Sequence, residues 1–283
     1  MKKIHHKIFK KLGLDNTLYC FVKGFYFLSF SLKKWNKRKP ILVYQMGKVG
    51  SRTVVETLRN QNLNRPVFHV HYLTANGLGF IQEKSEALGR VYPGRPYWAG
   101  IYLREVIRES NQRSFDVIAL TREPVARNIS AFFHAMDYWF PDISQQSLKG
   151  PYSTELFRNL RNTFLDEYDH KRSICWFEEE LEEVFGINVY ESKFPRGVGF
   201  AVYKSPSSNA LVIKLEGLNE TFPRAFQEFL GVRLTPEKLI KANVAKNKIY
   251  YPLYRSFIEW VKLPDEYLDG MYSSRYATHF YTS

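Results

Sequence analysis

Short apolar runs alternate with longer amphipathic stretches along this chain, and that alternation constrains the fold more than any other feature. Ile41–Tyr44 (ILVY) is followed at once by a glycine-bearing turn and the amphipathic stretch Ser51–Arg59. Pro66–His71 (PVFHVH) leads into a helical region from Leu73 to about Ser110, broken near Tyr92–Arg95 by Pro93 and Gly94. Phe115–Leu120 (FDVIAL) ends in Thr121-Arg122-Glu123-Pro124, where Pro124 suits the first turn of a helix running through Met136. Residues 153–185, Leu218–Leu230 and Tyr250–Val261 read as further helices, and Gly199–Lys204 and Ala210–Leu215 as strands around the turn SPSSN. Buried strands separated by helices form βαβ units, so the pattern predicts an α/β fold: a parallel sheet with helices on both faces. Such sheets bind ligands beyond the carboxyl ends of their strands. That selects the positions after Tyr44, after His71 and after Leu120.

The 283 residues, 45% of them apolar, suffice for one large core or one core with a small appendage. A formal charge of +13 suggests a polyanionic partner, but its distribution argues otherwise. Residues 1–39 hold eleven Lys/Arg against Asp15 alone, or +10, and the rest of the chain carries only +3. A nearly neutral body gives no case for nucleic acid. Cys20 and Cys175 offer neither metal-ligand spacing nor a disulfide framework, which suits a reducing compartment.

The basic excess brackets TLYCFVKGFYFLSFSL at residues 17–32, an aromatic run interrupted by Lys23. A spanning helix wants ~20 predominantly apolar residues, and this run is shorter and charged midway. No small-residue cleavage site follows it, as a removed signal peptide would need. Two readings stay open: a helix lying in an anionic membrane interface, or one packed on the body. Residues 1–39 are thus expected as a basic, aromatic segment ahead of an α/β domain at 40–283. A cytoplasmic location at the inner face of a membrane follows. Pro40 marks the segment's end, because proline disfavours helix in the residue before it.

After the first strand stands Gln45-Met46-Gly47-Lys48-Val49-Gly50-Ser51-Arg52-Thr53. A strand, a glycine-bearing loop and a helix start present backbone N–H groups and a helix dipole to an anion. Lys48 adds a full charge, and Ser51 and Thr53 add hydroxyls. This is not a Walker A loop, which places Lys after its second Gly, whereas Lys48 precedes Gly50. The third strand ends in Thr121-Arg122 instead of a magnesium-binding acid, which disfavours a nucleoside triphosphatase. Arg122 and Ser130, the latter two turns into the next helix, can converge on one phosphate.

The paired motifs resemble those of sulfotransferases that use 3′-phosphoadenosine 5′-phosphosulfate (PAPS). Lys48-Val49-Gly50-Ser51-Arg52-Thr53 looks like their 5′-phosphosulfate loop, and Arg122 through Ser130 like their 3′-phosphate motif, with matching spacing. More narrowly, QMGKVGS, FHVHYL, LTREPVARNISAFF, CWFEEELEEVFGINVY, LVIKLEGL and YSSRYATHFY resemble the bacterial capsular polysaccharide synthesis family, from about residue 40 onward. The resemblance implies a P-loop-like α/β fold, PAPS as donor, no metal, and a hydroxylated acceptor, commonly a carbohydrate. It implies that Gly47 through Thr53 hold the 5′ end of the donor, and that Arg122 and Ser130 hold its 3′-phosphate.

Sulfuryl transfer needs charge stabilisation and in-line geometry more than covalent catalysis. Lys48 is the candidate to neutralise the leaving 5′-phosphate. His71, ending the second strand, is the preferred base, a role the resemblance also implies; His69 shares its face but sits deeper. His134, one turn after Ser130, is the rival. Donor phosphates are expected to raise the pKa of His71 above its usual value of about 6.5. Glu178–Glu180 with Glu182–Glu183 read as a solvated helix face. Lys246, Lys248 and Arg275 read as surface charges, with closure over the donor as the alternative. Two other function classes stay open: a P-loop nucleotide kinase or NTPase, and a non-catalytic subunit of a membrane glycan-assembly complex.

Overall fold

The computed structural model describes residues 14–32, 39–61, 63–89, 93–109, 114–141, 143, 148–233, 235, 239–240 and 248–282. In it the alternation becomes a five-stranded sheet of β1 (Ile41–Tyr44), β2 (Val67–Val70), β3 (Phe115–Thr121), β4 (Phe200–Lys204) and β5 (Ser208–Lys214). The spatial order is β2-β1-β3-β5-β4. β2, β1, β3 and β5 run parallel, whereas β4 pairs antiparallel with β5. The sheet is thus parallel as expected except at this edge, where the two strands around the SPSSN turn form a hairpin. The connection from Lys204 to Ser208 is too short for a crossover, and only antiparallel neighbours can be joined by it.

The flanking helices are α1 (Leu14–Ser31), α2 (Ser51–Asn60), α3 (Ala75–Ala87), α4 (Arg95–Glu109), α5 (Pro124–His134) and α6 (Met136–Trp139). They continue with α7 (Thr154–Asp166), α8 (Lys171–Ile174), α9 (Glu183–Phe185), α10 (Leu218–Leu230), α11 (Tyr251–Trp260), α12 (Asp265–Tyr272) and α13 (Arg275–Phe280). Every residue of β1 and β3 is buried, which requires cover on both faces of the sheet. α2 and α4 pack against β2, and α10 packs against β4 and β5. A second apolar core lies apart from that of the sheet. There Ile129, Phe132 and Phe133 of α5 meet Phe164 of α7 and Phe257 of α11.

Residues 153–185 are not one helix. α7 ends at Asp166, and Asp169 restarts the chain by accepting from the Lys171 and Arg172 amides, both at 3.2 Å. Phe177–Glu182 is then a π turn, whose wider spacing displaces the face expected from a 3.6-residue period. Glu180 is consequently buried, at 2% exposure, which corrects the reading of a solvated acidic face. Its carboxylate accepts from the hydroxyls of Tyr44 and Thr74 and from the amides of Leu73 and Thr74, at 2.8 and 3.1 Å. These bonds tie the ends of β1 and β2 together, and each lost partner would leave a buried donor costing about 1–3 kcal/mol. Gly77 has no side chain because a Cβ there would collide with Glu180.

α1 packs on the body. Tyr19 and Tyr26 meet Trp98, Phe27 and Phe30 meet Tyr102, and Lys23 pairs with Glu105 at 2.8 Å. No helix among the described residues is long and apolar enough to cross a membrane. The basic clusters at 1–13 and 33–38, Tyr92 in the expected interruption, and Lys246 lie outside the described residues.

Candidate functional site

From β1 the chain goes to β2 on one side and then crosses to β3 on the other. The crevice of such a sheet lies where the order reverses, between the carboxyl ends of β1 and β3. Both sequence-selected loops open there. Gln45, fully buried, forms the floor: its N–H donates to the Val70 carbonyl (3.4 Å) and its Oε1 accepts from the Leu120 amide (2.9 Å). Its Nε2 has no partner among the described residues. A buried amide donor left this way costs about 1–3 kcal/mol unless a ligand meets it.

Lys48 and Gly50 both hold positive φ, 71° and 83°. Glycine adopts this freely, but lysine there is uncommon and marks a loop shaped by its surroundings. α2 then starts with no side-chain cap and no acid in its first turn, so the positive end of its dipole stays open. α5 differs. Glu123 caps it by accepting from the Val125 and Ala126 amides at 3.0 and 2.7 Å. The open anion seat is therefore at α2.

Cations converge on this seat. Arg122 donates from Nη1 to the Lys48 carbonyl at 3.0 Å. Arg127, only 6% exposed, donates from Nε to the Gly47 carbonyl (3.0 Å) and from Nη1 to the Tyr168 hydroxyl (2.9 Å). Among the described residues neither Arg122, Arg127, Lys48 nor Lys248 has a carboxylate partner. Burial, then Arg122, Lys248 and Arg127, push Lys48 down from 10.5 to about 8. Uncompensated charge in a partly buried site is costly, so the cluster is arranged for an anion. A bound phosphate group restores the Lys48 proton, so a phosphorylated ligand is expected to bind with proton uptake at pH 8 and to weaken as pH rises further. Calorimetry in two buffers of different ionisation enthalpy measures the uptake; identical heats would contradict it.

His71 follows β2 and is half-buried as a residue. Its Nδ1 lies 2.9 Å from the Gln45 carbonyl. A carbonyl only accepts, so Nδ1 carries the proton and Nε2 keeps the lone pair. Burial pushes the pKa of His71 below 6.5, offset in part by the Gln45 bond. Desolvation thus outweighs that bond. His69 lies beside it, ring centroids 4.7 Å apart, and is pushed down to about 3, again mainly by burial. His134 is pushed down to about 4 by burial and then by Lys48 and Lys248, with the Tyr250 hydroxyl 3.5 Å from Nδ1.

The loop's other residues divide by position. Val49 is core, Arg52 is exposed, Ser51 is buried and Thr53 is half-buried. Ser130 is half-buried on α5, and no hydrogen bond among the described residues joins it to Arg122. Arg275 stands 3.7 Å from Glu178 and over the ring of Tyr190, which commits it to the π turn, whereas the charge of Lys248 acts on Lys48.

Sequence reasoning overlooked Gln45, Arg127 and Tyr276. The Tyr276 hydroxyl donates to the Arg122 carbonyl (2.8 Å) and accepts from its N–H (3.0 Å), which fixes where β3 releases Arg122. A charged Arg127 beside the apolar positions Val125, Ile129 and Phe132 was the available signal for that residue. Tyr276 gave none.

Residues 155–282 match the family model described as "NKWYS: Putative capsular polysaccharide synthesis protein", which is consistent with a role in glycan synthesis. The matched stretch begins in α7 and includes Trp176, Glu180 and Tyr276, which brace the ends of β1, β2 and β3. Lys48, His71, Arg122 and Ser130 lie before it. No curated protein and no solved structure matches the chain.

Proposed function

We propose that this chain is a sulfotransferase that moves the sulfuryl group of PAPS to a hydroxyl of a glycan, at the cytoplasmic face of a membrane. The observation that carries the reading is the set of cations at the open end of α2, between β1 and β3, that have no carboxylate partner among the described residues. The unpartnered Nε2 of Gln45 in the same floor favours a ligand-binding site over a purely structural subunit. A nucleoside triphosphatase is a poorer fit. β3 ends in Thr121, whose hydroxyl accepts from Tyr281 at 2.9 Å, and then delivers Arg122 instead of an acid.

In this reading the acceptor oxygen attacks sulfur as the bond from sulfur to the 5′-phosphate oxygen breaks, and 3′,5′-ADP departs. The hydroxyl proton passes to Nε2 of His71, whose new charge is shared with the Gln45 carbonyl through Nδ1. The Lys48 ammonium meets the charge that grows on the departing oxygen. Arg122 recognises the 3′-phosphate, with the Ser130 hydroxyl as its partner on α5. The acceptor class rests on the family match of residues 155–282.

Arg122→Ala tests the donor assignment. Wild type should prefer 3′,5′-ADP over ADP by more than about tenfold, and the variant should lose most of that preference, because a charge-assisted contact disappears. A variant that keeps the full preference would show that the 3′-phosphate is read elsewhere.

A further inference from the structure

We infer that α1 is a docking helix for an anionic lipid surface, held flat against the enzyme body. One side of α1 is committed to the protein: Tyr26 and Phe30 pack inward and Lys23 pairs with Glu105. The other side presents Phe21, Phe25, Leu28 and Leu32, which are 72%, 63%, 61% and 71% exposed. Their spacing places them along one helix face as a continuous ridge. Beside the ridge runs an apolar groove of about 460 Å³, lined by Phe21, Val22, Phe25, Tyr26, Pro93 and Trp98. Its lining is apolar, as a hydrocarbon contact requires.

Charge selects the occupant. Residues 1–39 contain eleven basic residues; Lys23 and Lys39, the two among the described residues, are ion-paired to Glu105 and Asp116. The other nine stand on either side of α1 in the sequence, with Asp15 as the single acid. An apolar ridge flanked by that excess complements an anionic bilayer surface, where basic flanks and inserted aromatic residues add their attractions. A second copy of the same basic segment would be repelled. The docked helix is also close to the chemistry. α4 carries Trp98 and Tyr102 against α1, while its Arg104 donates to the Leu73 carbonyl at 2.8 Å, two residues beyond His71.

The test uses the full chain and vesicles of phosphatidylcholine with and without phosphatidylserine. Wild type should bind the anionic vesicles about tenfold or more tightly than the neutral ones, and high salt should weaken the binding. Phe21→Ser with Phe25→Ser and Leu28→Ser should lose about tenfold or more on anionic vesicles. Because these side chains are exposed, the melting temperature should not change. As an independent reading, the fluorescence of Phe21→Trp, less that of wild type, should shift to the blue on anionic vesicles. Equal binding to both lipids, or binding unaffected by the triple variant, would overturn the proposal. So would a lipid-free dimer that the triple variant dissociates, because the ridge would then be an interface between copies.

Discussion

Lys48→Ala is expected to lower turnover at least ~10²-fold while 3′,5′-ADP affinity falls much less. In the proposed reaction the ammonium meets charge that develops on the leaving oxygen, so its contribution is larger in the transition state than in the bound ground state. The bound anion, by contrast, keeps Arg122, Arg127, Lys248 and the open amides of α2. Alanine tolerates the positive φ at this position no better than lysine, so the loop gains no new freedom from the change. Turnover with saturating PAPS and calorimetry with 3′,5′-ADP separate the two effects. Normal turnover in the variant would reduce Lys48 to a loop residue.

His71→Ala should cost about 10²–10⁴ in transfer rate, with 3′,5′-ADP affinity changed by no more than about threefold. In the proposed reaction the imidazole serves the acceptor side, and its removal leaves the cation cluster intact. Because burial holds the pKa of His71 below 6.5, the base is already neutral at pH 7. The wild-type kcat/KM should therefore be level above about pH 6.5 and fall as pH drops through the depressed value, since protonation occupies Nε2. His134→Ala run in parallel decides between the two histidines. A limb near pH 4, with activity lost only in the His134 variant, would move the base to the end of α5.

Much of the sheet was legible because its signals are local. ILVY, FHVH and FDVIAL are short and rich in aromatic and β-branched residues, and each is followed by a turn that a helix start can answer. The open end of α2 was legible for the same reason: glycine, lysine and a helix beginning lie within a few residues. Glu180 was misread because a π turn changes the period on which face assignment depends. Tyr276 was invisible because 154 residues separate it from the Arg122 backbone it caps. Gln45 looked like an ordinary loop residue, and only the meeting of three strand ends gives its side chain a task. α1 was ambiguous in the sequence because its run is apolar on every side. The structure divides it into a packed face and an exposed ridge.

The central claim, a site built for a 3′,5′-bisphosphorylated nucleotide donor, is tested most directly by calorimetry of the wild-type chain with 3′,5′-ADP, ADP and ATP at one pH and salt concentration. 3′,5′-ADP should bind more than about tenfold tighter than either of the others, a difference above ~1.4 kcal/mol. Equal affinities for the three nucleotides, or tighter binding of ATP, would contradict it.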